Sequence, residues 1–307
     1  MLPTPARGVD SQVGHAGAAG RENVGMSHAD GTTLALTKHE GAGNDFLVIV
    51  DPGDRIRLSV DQVRDLCDRH CGVGADGVIR VGPGRDGADL SMELRNADGG
   101  VAEMSGNGMR CLAQAAVDAG IVSPPRFSVA TAAGVRTVSY QPGERPGMAT
   151  ASVDMGQVRL GKEQHQRFSD RRVREVDVGN PHLVLLGPDD PAEVALAEIG
   201  PRIEAGYPGG INVELITATA LPDELLLRVW ERGVGETQAC GTGSCAAAAA
   251  ARSWGIVGDH VRVHNPGGML DVWLGHSDGD PVVLAGPVRH VADVVVELGA
   301  LGLRALA

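Results

Sequence analysis

Cys240 is the side chain in this sequence whose setting most resembles that of a reactive group. It stands in ERGVGETQACGTGSCAAAAAARSW (231–254), after the apolar run Leu225–Trp230 and before Gly241-Thr242-Gly243 and six alanines, Ala246 to Ala251. Alanine is the strongest helix former. The cysteine therefore falls at the mouth of a helix whose first N–H groups lack intrahelical partners. Such an end attracts anions and is expected to draw a thiol's pKa down from about 8.5 toward neutrality. The glycines keep side chains out of a ligand's way. For a single cysteine, the competing reading is a small buried residue packing a helix cap.

A second segment repeats the pattern. LSMELRNADGGVAEMSGNGMRCLAQAAVDA (90–119) again joins a strand-like run, a Gly-rich turn, a small polar residue, Gly-X-Gly and an Ala-rich helix. Ser105 lies 135 positions before Cys240, and Asn96 and Glu231 each lie nine residues upstream of their Ser or Cys. Gly43-Asn44 and Gly179-Asn180 are 136 apart, and Gly134 and Gly268 are 134 apart. Near-constant spacing marks two copies of one α/β unit, with helix starts expected to face each other across a pseudo-two-fold axis. Two reactive groups on opposite sides of one anion site can take a proton from one face of a carbon and return one to the other. Inversion next to a carboxylate needs that arrangement, with both helix ends stabilising the charge that develops.

The rest of the chain must hold those groups in place. At 307 residues it is long enough for two ordinary domains. Hydrophobic content of 43% and charged content of 21% belong to a globular protein. A net charge of −12 and only 3% aromatic residues exclude nucleic acid and anionic membrane as expected partners. No apolar run approaches the roughly 20 residues of a membrane span. Residues 1–33 read as a disordered tail containing a second possible start, Met26, with no signal-peptide core. Five cysteines, an odd number, suggest no disulfide framework and fit a reducing cytoplasm. Cys67-Asp68-Arg69-His70-Cys71 offers half a zinc site with no second half, so no metal is expected.

Periodicity predicts a helix near Ser59–Arg69, with Val60, Val63, Leu66 and Cys67 on one face. Another is predicted at Pro191–Glu198. Strands are expected at Leu34–Thr37, Leu47–Val50, Val78–Val81, Arg126–Ala130, Arg136–Tyr140, Val173–Val178, His182–Leu186, Val261–His264, Leu270–Leu274, Val282–Leu284 and Ala292–Leu298. Many strands, two central helices and no βαβ rhythm point to an α+β fold. Two pseudo-symmetric domains are expected, each a mostly antiparallel sheet curled around one helix, with the site in the cleft between them. The boundaries read as 34–150, completed by a C-terminal strand at about 290–302, and 151–289.

The motifs His39-Glu40-Gly41-Ala42-Gly43-Asn44-Asp45-Phe46, Gly72-Val73-Gly74-Ala75-Asp76-Gly77, Asn96-Ala97-Asp98-Gly99, Gly106-Asn107-Gly108, Gly179-Asn180-Pro181-His182, Asn212-Val213-Glu214 and Glu231-Arg232-Gly233-Val234-Gly235-Glu236-Thr237, with Ala239-Cys240-Gly241-Thr242-Gly243, resemble those of the diaminopimelate epimerase family in the family's order. The resemblance implies a cofactor-independent isomerase that interconverts LL- and meso-2,6-diaminopimelate for lysine and peptidoglycan synthesis, as a homodimer. Cys240 matches one of the family's acid/base cysteines, and Ser105 stands where the other belongs. Backbone N–H groups at Gly106, Asn107, Gly241 and Thr242 would hold the reacting carboxylate. Asn44, Asn96, Asn180, Asn212, Glu231 and Arg232 would line the pocket and grip the far end of the substrate, while His182 lies near the reacting amine or is a structural histidine. A pyridoxal cofactor has no plausible anchor, since the lysines are Lys38 in an opening strand and Lys162 in a polar stretch.

A serine hydroxyl is far less acidic than a thiol, so Ser105 cannot simply replace a thiolate base. Three readings follow from it: an epimerase with a Ser/Cys pair, a one-base racemase or lyase acting on a related amino acid, and a non-catalytic diaminopimelate-binding paralogue.

Overall fold

The computed structural model describes residues 33–102, 104–164, 171–187, 190–276 and 280–301. The expected tail, apart from Thr33, lies outside the described residues. The first half runs β1 (Thr33–Gly41), β2 (Asn44–Val50), α1 (Val60–Cys67), β3 (Gly77–Pro83), β4 (Leu90–Asn96), β5 (Val101–Ala102), α2 (Gly106–Asp118), β6 (Arg126–Thr131), β7 (Gly134–Pro142) and β8 (Met148–Gln157). The second runs β9 (Arg159–Gln164), β10 (Val173–Asp177), β11 (Pro181–Leu186), α3 (Leu196–Glu204), β12 (Asn212–Ala218), β13 (Glu224–Glu231), β14 (Gly235–Thr237), α4 (Gly241–Ser253), β15 (His260–Asn265), β16 (Gly268–Trp273) and β17 (Pro281–Glu297).

The halves have the same topology, as the duplicated spacing requires. β1 pairs antiparallel with β2, β2 parallel with β3, β3 antiparallel with β4, β4 parallel with β6, and β6, β7 and β8 continue antiparallel. From β10 to β17 the same series recurs. Antiparallel pairs dominate, yet each half has two parallel pairs, with α1 and α2, or α3 and α4, lying on the chain between their strands. The lack of a βαβ rhythm was thus a misreading, because short strands and long loops hide these crossovers in the sequence.

Each curled sheet wraps one helix. Along α4, Gly241 to Ala251 are all buried, and the alanine row keeps that helix thin enough for strands to enclose it. The two sheets share a seam where β8 pairs with β17. Beyond the seam, β17 closes the first sheet against β1, and β9, continuing from β8, closes the second against β10.

Other expectations need correction. The two runs at Val282–Leu284 and Ala292–Leu298 form one strand, β17. Gly286-Pro287, a pair that commonly interrupts a strand, lies where this one passes from one sheet to the other. The helix expected at Pro191–Glu198 is a 3-10 turn at Pro191–Glu193 followed by α3, which continues through Gly200-Pro201. Gly200 sits inside that helix because Trp230 packs on it: a Cβ there would lie 2.5 Å from Trp230 Cγ. β8 runs unbroken through the expected boundary at residue 150.

Candidate active site

Ser105 and Cys240 occupy equivalent positions, as the N-caps of α2 and α4. Their backbones are alike, at φ −141° and ψ 120° for Ser105 and φ −123° and ψ 117° for Cys240. Ser105 Oγ accepts from Gly108 N at 3.0 Å, and Cys240 Sγ accepts from Gly243 N at 3.3 Å. The first intrahelical bonds are Met109 N to Ser105 O and Ser244 N to Cys240 O. This leaves the amides of Gly106, Asn107, Gly241 and Thr242 at the helix mouths, the usual place for an anion.

The two mouths abut. A Cβ on Gly241 would lie 3.2 Å from Gly106 Cα, and one on Gly106 would lie 2.6 Å from Leu284 Cδ2. A Cβ at Gly241 would press on the Gly106 backbone and one at Gly106 would displace the Leu284 tip, so glycine at both positions suits this approach, which brings the two N-caps to one place between the halves.

A chain of polar side chains leads away from Cys240. Its Sγ lies 3.4 Å from Thr242 Oγ1, to which Asn180 Nδ2 donates at 3.4 Å. Asn180 Oδ1 is 2.9 Å from His182 Nε2, and His182 Nδ1 is 2.7 Å from Glu214 Oε1. His182 and Glu214 are wholly buried. Glu214 Oε2 has no hydrogen-bond partner among the described residues, and a Cβ on Gly243 would come within 2.9 Å of Oε1. Glu214 is a site residue that the motif Asn212-Val213-Glu214 does not by itself reveal. A carboxylate among the apolar Val213, Leu215 and Ile216 was the available signal.

The thiol does not behave as its helix start suggested. Burial first, then the nearby Glu231 and Glu214 carboxylates, push the Cys240 pKa well above the ordinary thiol value, and the hydrogen bonds from Thr242 and Gly243 offset only part of this. Desolvation of the charged form outweighs the few oriented amides. Burial also raises Glu231, against the hydrogen bonds it receives from Thr237 and Cys240.

The other pocket candidates divide. Asn44 donates to Asp76 Oδ2 at 2.6 Å and accepts from Asn107 Nδ2 at 3.3 Å. Asn212 uses its amide structurally, donating to Pro181 O at 3.0 Å and accepting from Arg232 N at 2.9 Å, so it fixes the backbone from which Arg232 projects. Arg232 is exposed, with Nη1 donating to Gly209 O at 3.3 Å. Asn96 is half-buried at the end of β4, opposite Gly77. Gly43, at φ +80°, turns the β1–β2 hairpin so that its tip meets Gly267 and Gln238 of the other half. Among the described residues no three His, Cys, Asp or Glu side chains group as a metal ion would need; Cys67 is buried and Cys71 is exposed. Lys38 is engaged with Asp45 at 2.8 Å.

The chain is similar to known proteins along most of its length. The sequence profile described as diaminopimelate epimerase matches residues 36–161 and 175–291. A diaminopimelate epimerase of Pelotomaculum thermopropionicum is 38% identical over 281 residues, covering 84% of this chain and 97% of that protein. One of Leptospira biflexa is 34% identical over 291 residues, covering 86% and 99%. This chain belongs to the diaminopimelate epimerase family. Among solved structures, a PhzF-family phenazine biosynthesis protein of Bacillus anthracis superposes with a TM-score of 0.68 at 15% identity, covering 86% of this chain and 99% of that one. A hydroxyproline epimerase of Agrobacterium vitis does so with a TM-score of 0.66 at 17% identity, covering 88% and 94%. At such identities these two share the fold. The chain is thus an isomerase of the epimerase type in an α+β fold. No helix among the described residues is long and apolar enough to cross a membrane.

Proposed function

We propose that this protein interconverts LL- and meso-2,6-diaminopimelate without a cofactor, with Cys240 and Ser105 acting on opposite faces of the α-carbon. The observation that carries the reading is the meeting of two equivalent helix mouths, one capped by each residue. The α-carboxylate sits on the amides of Gly106, Asn107, Gly241 and Thr242. When the Cα–H bond breaks, its electron pair moves into the carboxylate, where those amides stabilise the added charge. Cys240 takes the proton as a thiolate, and Ser105 O–H delivers one to the other face. The Gly108 N–H bond to Ser105 Oγ steadies the resulting alkoxide until solvent relays to it the proton that Cys240 has taken, which restores the thiolate and the hydroxyl.

The substrate's own ammonium group helps to start the reaction. Set beside Glu231 and Glu214, it offsets the carboxylates that hold the thiol protonated. His182, fixed between Glu214 and Asn180, orients that end of the pocket, and Arg232, its backbone held by Asn212, serves the distal amino-acid group with Asn44 and Asn96.

The deciding experiment follows LL-diaminopimelate with the purified protein in D₂O by NMR. Exchange of the α-proton with appearance of the meso isomer supports the proposal. Exchange with full retention would make the enzyme one-base, and neither event would leave a binding protein. Five free cysteines support a cytoplasmic setting. The exposed Val291 and Val295 on β17 support a homodimer that covers them, checked by sedimentation equilibrium.

A further inference from the structure

Arg110 lies one turn into α2 and is wholly buried. No carboxylate pairs with it among the described residues. Nε donates to Pro287 O at 3.2 Å, Nη1 to Gly106 O at 3.2 Å and Nη2 to Asn107 Oδ1 at 2.9 Å. A buried cation without a counter-ion is costly, and the fold leaves room for this one. A Cβ on Gly41 would lie 3.1 Å from Nη2, and one on Gly286 would lie 3.3 Å from Cζ. Burial brings the guanidinium pKa down to about 10, so it remains a cation at neutral pH.

What Arg110 holds is the Asn107 amide. With Oδ1 committed to Nη2, Nδ2 must point the other way, where it donates to Ala239 O at 3.0 Å and to Asn44 Oδ1 at 3.3 Å. Ala239 immediately precedes Cys240 and belongs to the other half of the molecule. A flipped amide would set oxygen against the Ala239 carbonyl. One hydrogen bond from Asn107 therefore spans the two helix mouths, and its direction is set by the cation beneath it.

We propose that Arg110 is a positioning residue: by locking the Asn107 amide onto the Ala239 carbonyl it fixes how the α2 and α4 mouths meet, and so where Ser105 stands relative to Cys240. The proposal deepens the epimerase reading and rests on it for the meaning of that placement. It extends the site to a residue that touches neither substrate nor reacting atoms.

The test labels the full-length protein with iodoacetamide at pH 9, without substrate, and compares Cys240 with the exposed Cys71 by peptide mass spectrometry. Arg110→Lys keeps the charge and loses the fork, whereas Asn107→Ala removes the strut itself. Each should raise the Cys240:Cys71 labelling ratio about tenfold, the change that loss of one buried hydrogen bond permits. The double variant should match the singles, because both cut the same connection. Turnover of diaminopimelate should fall alongside in every variant.

An unchanged ratio in Asn107→Ala with a native circular dichroism spectrum would overturn the proposal. So would multiplicative effects in the double variant, which would make the two residues independent. If Arg110→Lys does not fold, Asn107→Ala decides alone. Labelling requires no turnover, so a shifted ratio in a protein inactive on diaminopimelate would sink the reaction and leave the strut standing.

Discussion

Cys240 carries two opposed influences, and their balance can be measured. The helix mouth favours a thiolate, while burial and the Glu231 and Glu214 carboxylates oppose it and prevail. In the free protein, alkylation of Cys240 should therefore be negligible at pH 7 and keep rising with pH past the ordinary thiol range. A plateau below pH 8 would mean that the helix mouth dominates. Ser105 poses the complementary problem, because a hydroxyl gives and takes protons less readily than a thiol. Ser105→Cys should raise the maximal rate in both directions by about 10²-fold, the scale of a general acid–base contribution, and Cys240→Ala should abolish turnover. Equal, fast exchange of both isomers in the parent, with no gain from Ser105→Cys, would point to an unseen base. Arg232→Lys should lower kcat/KM for diaminopimelate by about tenfold or more, since an ammonium cannot reproduce the guanidinium fork. Unaltered steady-state kinetics in that variant would remove Arg232 from the pocket.

The two helices and their glycine mouths were the most legible elements, because alanine rows and Gly-X-Gly turns are strong local signals. Their contact at Gly106 and Gly241 predicts that Gly241→Ala, whose Cβ would lie 2.9 Å from Leu284 Cδ2, costs about 1–3 kcal/mol of stability by overpacking. Chemical denaturation would register the loss, and an unchanged midpoint would mean that the mouths part easily. The neighbours of the site were harder to read. The burial of Arg110 was not legible, since nothing local in an Ala-rich helix announces that a strand from the far end of the chain will cover it. The lowered thiol pKa expected at Cys240 failed for a similar reason: burial by the enclosing sheet is the main cause that raises it, and Glu214 on β12 adds to the nearby Glu231, and neither the enclosure nor Glu214 is announced by the residues around Cys240. β17 was expected as two strands, and Gly286-Pro287, a pair that commonly interrupts a strand, is accommodated in it at the junction of the sheets.

Taken whole, the molecule combines a buried titrating core with shared closure. His39 is wholly buried beside Gln114 and His290, and its pKa is lowered to about 4 from an ordinary 6.5, mainly by burial and secondarily by His290, against the pull of Gln114, Asp118 and Asp293. Between those two values the unfolded chain takes up a proton that the folded chain refuses. The contribution is therefore intact above pH 6.5 and lost as pH falls, reaching about 3 kcal/mol near pH 4. Urea unfolding across that window should show the loss, and His39→Gln should flatten it; an identical slope in the variant would assign the loss to other groups. The seam between the sheets bears on the chain's origin. β17, which ends the second half, closes the first sheet against β1, and β9, which continues the first half's last strand β8, closes the second sheet against β10. A lone repeat, then, is an unfinished cylinder with an open edge, and a second copy of itself is the piece that fits the gap. Read this way, the present chain is a swapped dimer joined end to end, and residues 33–164 expressed alone should associate in pairs rather than persist as a folded monomer.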